Sequence, residues 1–163
     1  DQGEVADALA AFAGWHPQIR GILEGVDKTF LWALFDRKPL ARWSVGRVTL
    51  LGDACHAMLP FMAQGAAQAI EDGATLAVCL SKVDARDVPD ALRRYETLRL
   101  PRASRIQALS AKNKTRFHLP DGPDQEERDA ELARGTTDWS SSAWLYGHDA
   151  GVIEPASWCG AGE

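Results

Sequence analysis

Gly52 and Asp53 follow a short run of β-branched and leucine residues, Val48 to Leu51, in the stretch RVTLLGDACHAMLPFMAQGAAQAIEDG at residues 47–73. A carboxylate at the carboxyl end of a strand is placed to accept hydrogen bonds from sugar or polyol hydroxyls. A glycine just before it permits a tight turn or close ligand approach. The ordinary alternative for Asp53 is a turn or N-cap aspartate. Gly65, Ala66 and Ala67 then open a helical pattern. A helix start offers unpaired N–H donors and the positive end of the macrodipole. Small side chains let those donors touch a flat, electron-rich ligand edge. A helix start packed tightly on a neighbour explains the alanines equally well. It explains Gly65 less well, since glycine inside a helix costs ~1 kcal/mol relative to alanine. Between the two elements Pro60 stiffens the loop and offers a carbonyl without an N–H, and ordinary loop punctuation is the other reading.

Cys55 and His56 suggest a thiol–imidazole pair, but sequence neighbours usually point apart, and no acid sits at a recognisable spacing to orient the histidine. A catalytic dyad is therefore not expected. His16, His56, His118 and His148 show no metal-ligand spacing with acids or cysteines, so no metal is expected. His118 beside a helix end reads as a dipole partner. Cys55, Cys79 and Cys159 are odd in number and form no CxxC pair. Cys79 reads as a small buried hydrophobe, and a reducing cytoplasm fits best.

The elements around these residues read as follows. Val5 to Phe12 predicts a short helix, and His16-Pro17 starts another through Ile19, Ile22 and Leu23. Thr29 to Phe35 is aromatic-rich and predicts a strand, closed by a turn at Asp36 to Pro39. Arg47 to Leu51 predicts a strand buried on both faces. Gln64 to Leu80 predicts a helix, with Ile70, Ala74, Ala77 and Val78 at the helical period. Pro89 opens the next helix through Leu92, Tyr95 and Leu98, and Pro101 is expected to kink or break it before Ile106 and Leu109 continue the pattern to about Phe117. Asp124 to Arg134 reads as an acidic helix or a poorly ordered arm. Trp139, Trp144, Leu145 and Tyr146 supply a last aromatic cluster, and the terminal GAGE reads as frayed. Trp32, Leu34 and Phe61 are pocket candidates, with plain core the favoured reading.

The 163 residues suffice for one domain with a core. Hydrophobic residues at 45% and charged residues at 25% are ordinary for a globular protein, and no apolar run approaches the roughly 20 residues of a membrane span. No secretory-type leader is read, and Asp1 in place of a methionine leads to the expectation of a fragment or processed product. The net charge of -5 argues against nucleic acid. Ala91 to His118 carries eight Lys and Arg against one acid, Glu96; the favoured reading is a basic solvated helix face rather than a phosphate site.

The string GDACHAMLPFMAQGAAQAIEDG closely resembles the GD-type motif of group A flavoprotein monooxygenases, of the salicylate hydroxylase and 6-hydroxynicotinate 3-monooxygenase kind. LFDRKPLARWSVGRVTLL resembles the family's lead into that motif. RRYETLRLPRASRIQ resembles its long C-terminal helix, and WLYGHDA its terminal aromatic signature. Cys55 and Gly73 stand where alanine is common. The resemblance implies FAD as cofactor, NAD(P)H and O2 as co-substrates, and a small aromatic substrate. It implies that Asp53, with Gly52, meets the ribityl chain. Pro60 would then lie beside the isoalloxazine ring and substrate, and Gly65, Ala66 and Ala67 would face the pyrimidine edge, where a helix start stabilises the negative charge of a reduced ring.

No GxGxxG follows an early strand, and the family's mid-chain DG motif is missing. The expectation is therefore an α+β fragment, mostly helical with two or three strands: the C-terminal part of a p-hydroxybenzoate hydroxylase-like FAD-binding fold. It is expected to hold a partial FAD site and to be inactive alone. Residues 1–46 read as the end of a substrate-domain sheet with preceding helices. Residues 47–84 read as the flavin-contacting strand–loop–helix, and 85–163 as a C-terminal helical region. A homo-oligomer is possible. The alternatives are a non-catalytic helical interaction or oligomerisation module derived from such an enzyme, and an unrelated hydrolase using Cys55 and His56.

Overall fold

The computed structural model describes residues 1–134 and 139–153, with side chains described from residue 142 in the second stretch. The Trp139 side chain, Cys159 and the frayed end expected at residues 160–163 lie outside the described residues. The chain divides into two compact units, Asp1–Leu34 and Phe35–Glu163.

In the first unit, β1 (Gln2–Gly3) pairs antiparallel with β2 (Thr29–Phe30), and α1 (Val5–Ala11) and α2 (Pro17–Glu24) lie between them. α2 starts as its sequence requires: His16 is the N-cap and accepts from the Gln18 N–H, and Pro17 fills the first turn. The strand expected over residues 29–35 stops at Phe30. A strand persists only where a partner ladder takes its N–H and C=O groups, and β1 supplies two residues. Trp32 and Leu34, expected as core, are 78% and 60% exposed.

The second unit begins with a small hairpin, β3 (Ser44–Val45) and β4 (Val48–Thr49), turned at Gly46 with φ +58°. The strand expected to be buried on both faces is β4, yet Val48 is 67% exposed, because this two-residue strand has β3 alone as its partner. Next come α3 (Asp53–His56), a 3-10 turn at Pro60–Met62, and α4 (Gly65–Leu80). A second 3-10 turn (Ala85–Asp87) leads into α5 (Val88–Phe117), and α6 (Pro123–Ala133) and α7 (Trp139–Tyr146) follow. Helix dominates and strand is sparse, as expected. Residues 124–133 fall on α6 and Arg134 is its C-cap, so the helix reading of that acidic stretch holds.

α5 is the spine of this unit. Leu92, Tyr95, Ala103 and Ile106 are buried along it, and α4 packs against it. Trp43, Cys55, Cys79, Tyr95 and Ala103 form the buried cluster, with Trp43 and Tyr95 ring centroids 5.9 Å apart. Burying one such aromatic side chain stabilises by about 1.5–3 kcal/mol. The Tyr95 hydroxyl donates to the Leu50 carbonyl at 3.1 Å. Glu96 accepts from the Trp43 and Ser44 N–H groups at 2.8 and 2.5 Å, which fixes the hairpin on α5.

Pro101 does not break α5, which runs through it as a single 30-residue helix. The missing N–H leaves the Thr97 carbonyl without its intrahelical donor. Thr97 is exposed, so water can satisfy that carbonyl, and packing on both sides of the proline keeps the helix continuous.

Candidate functional site

α4 buries a face that its apolar residues do not announce. Ile70 is 74% exposed, whereas Gln68, Asp72, Thr75 and Cys79 are buried at helical spacing. That polar face meets Arg99, which is 1% exposed on α5. Arg99 Nε donates to Asp72 Oδ1 at 2.8 Å, one terminal nitrogen to Glu71 Oε2 at 2.5 Å, and the other to Gln68 Oε1 at 2.7 Å. Arg102 grips Glu71 with two further bonds of 2.7 and 2.8 Å and donates to the Trp144 and Leu145 carbonyls. The basic stretch expected to be a solvated face thus turns two arginines inward, because two adjacent acids on α4 meet it.

The second Asp72 oxygen reaches the loop before α3. It accepts from the Gly52 N–H at 2.9 Å and bonds His56 Nε2 at 2.6 Å. Burial alone would raise the Asp72 pKa, but the bonds from His56, Gly52 and Arg99 outweigh it and hold the carboxyl below its usual range. Glu71 is held low in the same way: burial opposes, and Arg102 and Arg99 prevail. Asp72 is the acid that orients His56, sixteen residues along the chain and invisible to any spacing rule for a dyad.

This arrangement does not make Cys55 a nucleophile. Burial first, and the Asp72 charge second, push its thiol up to about 12. The thiolate form required for attack is therefore absent at neutral pH. Ligand atoms of Cys55, His56 and Asp72 lie within 4.8 Å of one another. Cys55 donates to the Gly52 carbonyl, His56 Nε2 bonds Asp72, and Arg99 supplies positive charge on Asp72, while His56 Nδ1 is buried without a hydrogen-bond partner. Cys79 is buried with its pKa raised by burial, as its apolar context implies. His118 Nδ1 bonds the Lys114 carbonyl at 2.7 Å at the end of α5, the helix-end role expected of it.

The network fixes the backbone whose residues the sequence singled out. Gly52 is buried at φ +60°, ψ -143°, a conformation that favours glycine, and an added Cβ would come 3.3 Å from the Ala69 Cβ. Asp53 is exposed as the first residue of α3, which Gly52 caps without a side-chain bond. It is therefore no N-cap aspartate. Pro60 is exposed at the start of its 3-10 turn. Phe61 is half-buried, its ring 6.3 Å from Phe117 and 5.2 Å from His118. No side chain caps α4, and a Cβ on Gly65 would meet nothing within 4 Å. Ala66 is exposed and Ala67 half-buried. An exposed carboxylate, an open glycine and an uncapped 16-residue helix start suit an elongated ligand with hydroxyls and an electron-rich edge.

The FAD binding domain family model matches residues 26–110, more than half of the chain. The chain belongs to that FAD-binding family. The match spans Gly52, Asp53, Pro60, Gly65 to Ala67, Glu71, Asp72 and Arg99, and the resemblance read from the GD-type motif is borne out. The chain is 46% identical over 149 residues to a 3-amino-4-hydroxybenzoate 2-monooxygenase of Streptomyces platensis, covering 90% of this chain and 37% of the relative. It is 50% identical over 103 residues to a 6-hydroxynicotinate 3-monooxygenase of Pseudomonas fluorescens, covering 63% and 27%. It also superposes on a salicylate hydroxylase substrate complex with a TM-score of 0.76 at 31% identity, covering 93% of this chain and 36% of that one. The matched part thus covers between 27% and 37% of these relatives' own length.

Sequence reasoning missed Asp72, Arg99 and Glu71 as the frame of the site. The signal available was the Glu71-Asp72 pair inside a helix otherwise rich in small apolar residues. Two adjacent acids there call for a cationic partner once the helix is buried.

Proposed function

We propose that this chain is the flavin-facing part of a FAD-dependent aromatic hydroxylase, one that uses NAD(P)H and O2 to hydroxylate a small, salicylate-like aromatic ring. The observation that carries the reading is the exposed Asp53 carboxylate together with the uncapped, open start of α4. Asp53, next to the buried Gly52, binds the ribityl hydroxyls. The N–H groups at Gly65, Ala66 and Ala67 face the pyrimidine edge and stabilise negative charge there. Pro60 forms a rigid wall beside ring and substrate. FAD, when bound, supplies the redox and oxygen-activating chemistry; this chain orients it and excludes water. Residues 1–46 are the end of a substrate-domain sheet, 47–84 the flavin-contacting segment, and 85–163 the helical region behind it. No described helix is long and apolar enough to cross a membrane.

The adenosine-binding glycine loop is absent from this sequence, so the 163-residue chain alone holds only part of the cofactor and is inactive. The test is expression of the longest reading frame that contains the chain. That protein is expected to purify yellow and to hydroxylate a hydroxybenzoate with NADH or NADPH. The Asp53→Ala form is expected to lose flavin. A colourless protein without substrate-stimulated NAD(P)H oxidation overturns the reading, and stoichiometric FAD on the isolated chain overturns the half-site.

A further inference from the structure

Three polar side chains of α5 hold three carbonyls of the segment that carries Pro60. Gln107 Nε2 donates to the Ala57 carbonyl at 3.1 Å and also to the Arg37 carbonyl at 3.3 Å. Ser110 Oγ donates to the Leu59 carbonyl at 2.5 Å. Asn113 Nδ2 donates to the Phe61 carbonyl at 3.1 Å and lies as close to Met62 Sδ. The donors recur every third residue of a helix and the acceptors every second residue of an irregular segment. Gln107 is 6% exposed and Ser110 fully buried. A buried serine and glutamine cost stability unless their bonds are made. Here each of the two bonds a carbonyl of a single short stretch, and Gln107 bonds Arg37 as well.

The clasp controls what the segment presents. Leu59 is buried at its middle, and the next residue, Pro60, is exposed. The Pro60 carbonyl accepts from the Ala63 N–H at 2.9 Å, and Ala63 sits at φ 51°, which turns the chain into the start of α4. The Pro60 wall and the Gly65 helix start are thus set from the same side by one rigid helix. Local sequence does not do this, because residues 57–62 have no strand partner and only one 3-10 turn.

We infer that Gln107, Ser110 and Asn113 are positioning residues that fix the Pro60 wall against ring and substrate, and so set how much reduced cofactor ends in hydroxylated product. The inference rests on the proposed placement of Pro60. A displacement of about 1 Å at a reacting centre costs up to about a hundredfold in rate. The expected effect of loosening one clasp bond is therefore on the order of tenfold.

The experiment uses the full reading frame and compares Ser110→Ala, Asn113→Leu and Asn113→Gln. The first two are expected to raise the KM for the aromatic substrate and lower the hydroxylated product formed per NAD(P)H consumed, with flavin content unchanged. Asn113→Gln, which keeps the amide donor, is expected to restore both. Unchanged KM and product yield in folded, flavin-replete Ser110→Ala and Asn113→Leu overturn the inference. A second measurement stands apart from catalysis: amide hydrogen exchange of the 163-residue chain. Asn113 is half-buried, so Asn113→Leu is the variant least prone to misfold. Faster exchange confined to residues 58–63 supports the clasp, and exchange identical to the parent overturns it. If the parent enzyme lacks hydroxylase activity while that exchange pattern holds, the functional reading fails and the clasp stands.

Discussion

Asp72 and Arg99 lie 27 residues apart in sequence and 2.8 Å apart in space, both fully or almost fully buried. Arg99 pairs with Glu71 as well, and the spare oxygen of Asp72 ties down Gly52 and His56. One carboxylate thus connects the loop before α3 to α4 and α5.

Removing that carboxylate should be severe. Asp72→Asn leaves the buried Arg99 guanidinium with Glu71 as its remaining carboxylate partner and weakens the acceptor that holds Gly52 and His56. Breaking one partner of a buried pair costs up to about 3–5 kcal/mol. Denaturant unfolding of the chain should show a loss of that size, and a loss below about 1 kcal/mol contradicts the structure.

Acid should unfold the chain for the same reason. Asp72 and Glu71 have folded pKa values below their ordinary 3.8 and 4.5. Depressed carboxylates stabilise the folded state fully above their unfolded values, and that stability is lost as pH falls through them toward the folded values. The urea midpoint should fall most steeply below about pH 4.5, with that fall much reduced in a Glu71→Gln, Asp72→Asn double variant. A midpoint independent of pH down to 3 would count against the network.

Gly52→Ala combines a backbone and a packing penalty. The backbone at φ +60°, ψ -143° is close to a region only glycine enters freely, at a cost of about 1–3 kcal/mol for other residues. The new Cβ also presses on Ala69 at 3.3 Å. A drop in thermal midpoint is expected, larger than that for Gly65→Ala, whose Cβ enters open space. In the intact enzyme the order should reverse for flavin affinity if the Gly65 start faces the ring.

Pro101→Ala should stabilise. Position 101 is exposed and helical, and proline in a helix interior costs up to about 3 kcal/mol relative to alanine. A gain in unfolding free energy is the expected result. A loss would mean that the packing of α5 on α4 depends on a proline-bent axis.

Much of the fold is legible in local sequence. His16-Pro17, Pro89 and the period of Leu92, Tyr95 and Ile106 mark helices by cap chemistry and spacing, and the structure has them. Strands were less legible, because a strand exists by pairing. TFLWALF carries the propensity, but β1 supplies only two residues of ladder.

The sequence by itself determined the family and the backbone proposed to face the ligand. Gly52, Asp53, Pro60 and Gly65 lie close together in the chain, and their character comes from missing side chains, fixed angles and a helix start, all local properties. Only the tertiary structure decided what holds that backbone in place. Arg99 and Arg102 read as solvated charges until Glu71 and Asp72 lie opposite them. Gln107, Ser110 and Asn113 read as ordinary polar helix residues until a segment some fifty residues earlier offers its carbonyls. Hydrogen bonds and ion pairs at such separations exist only after α4 and α5 have packed, and no local pattern encodes which partner a buried polar group will find.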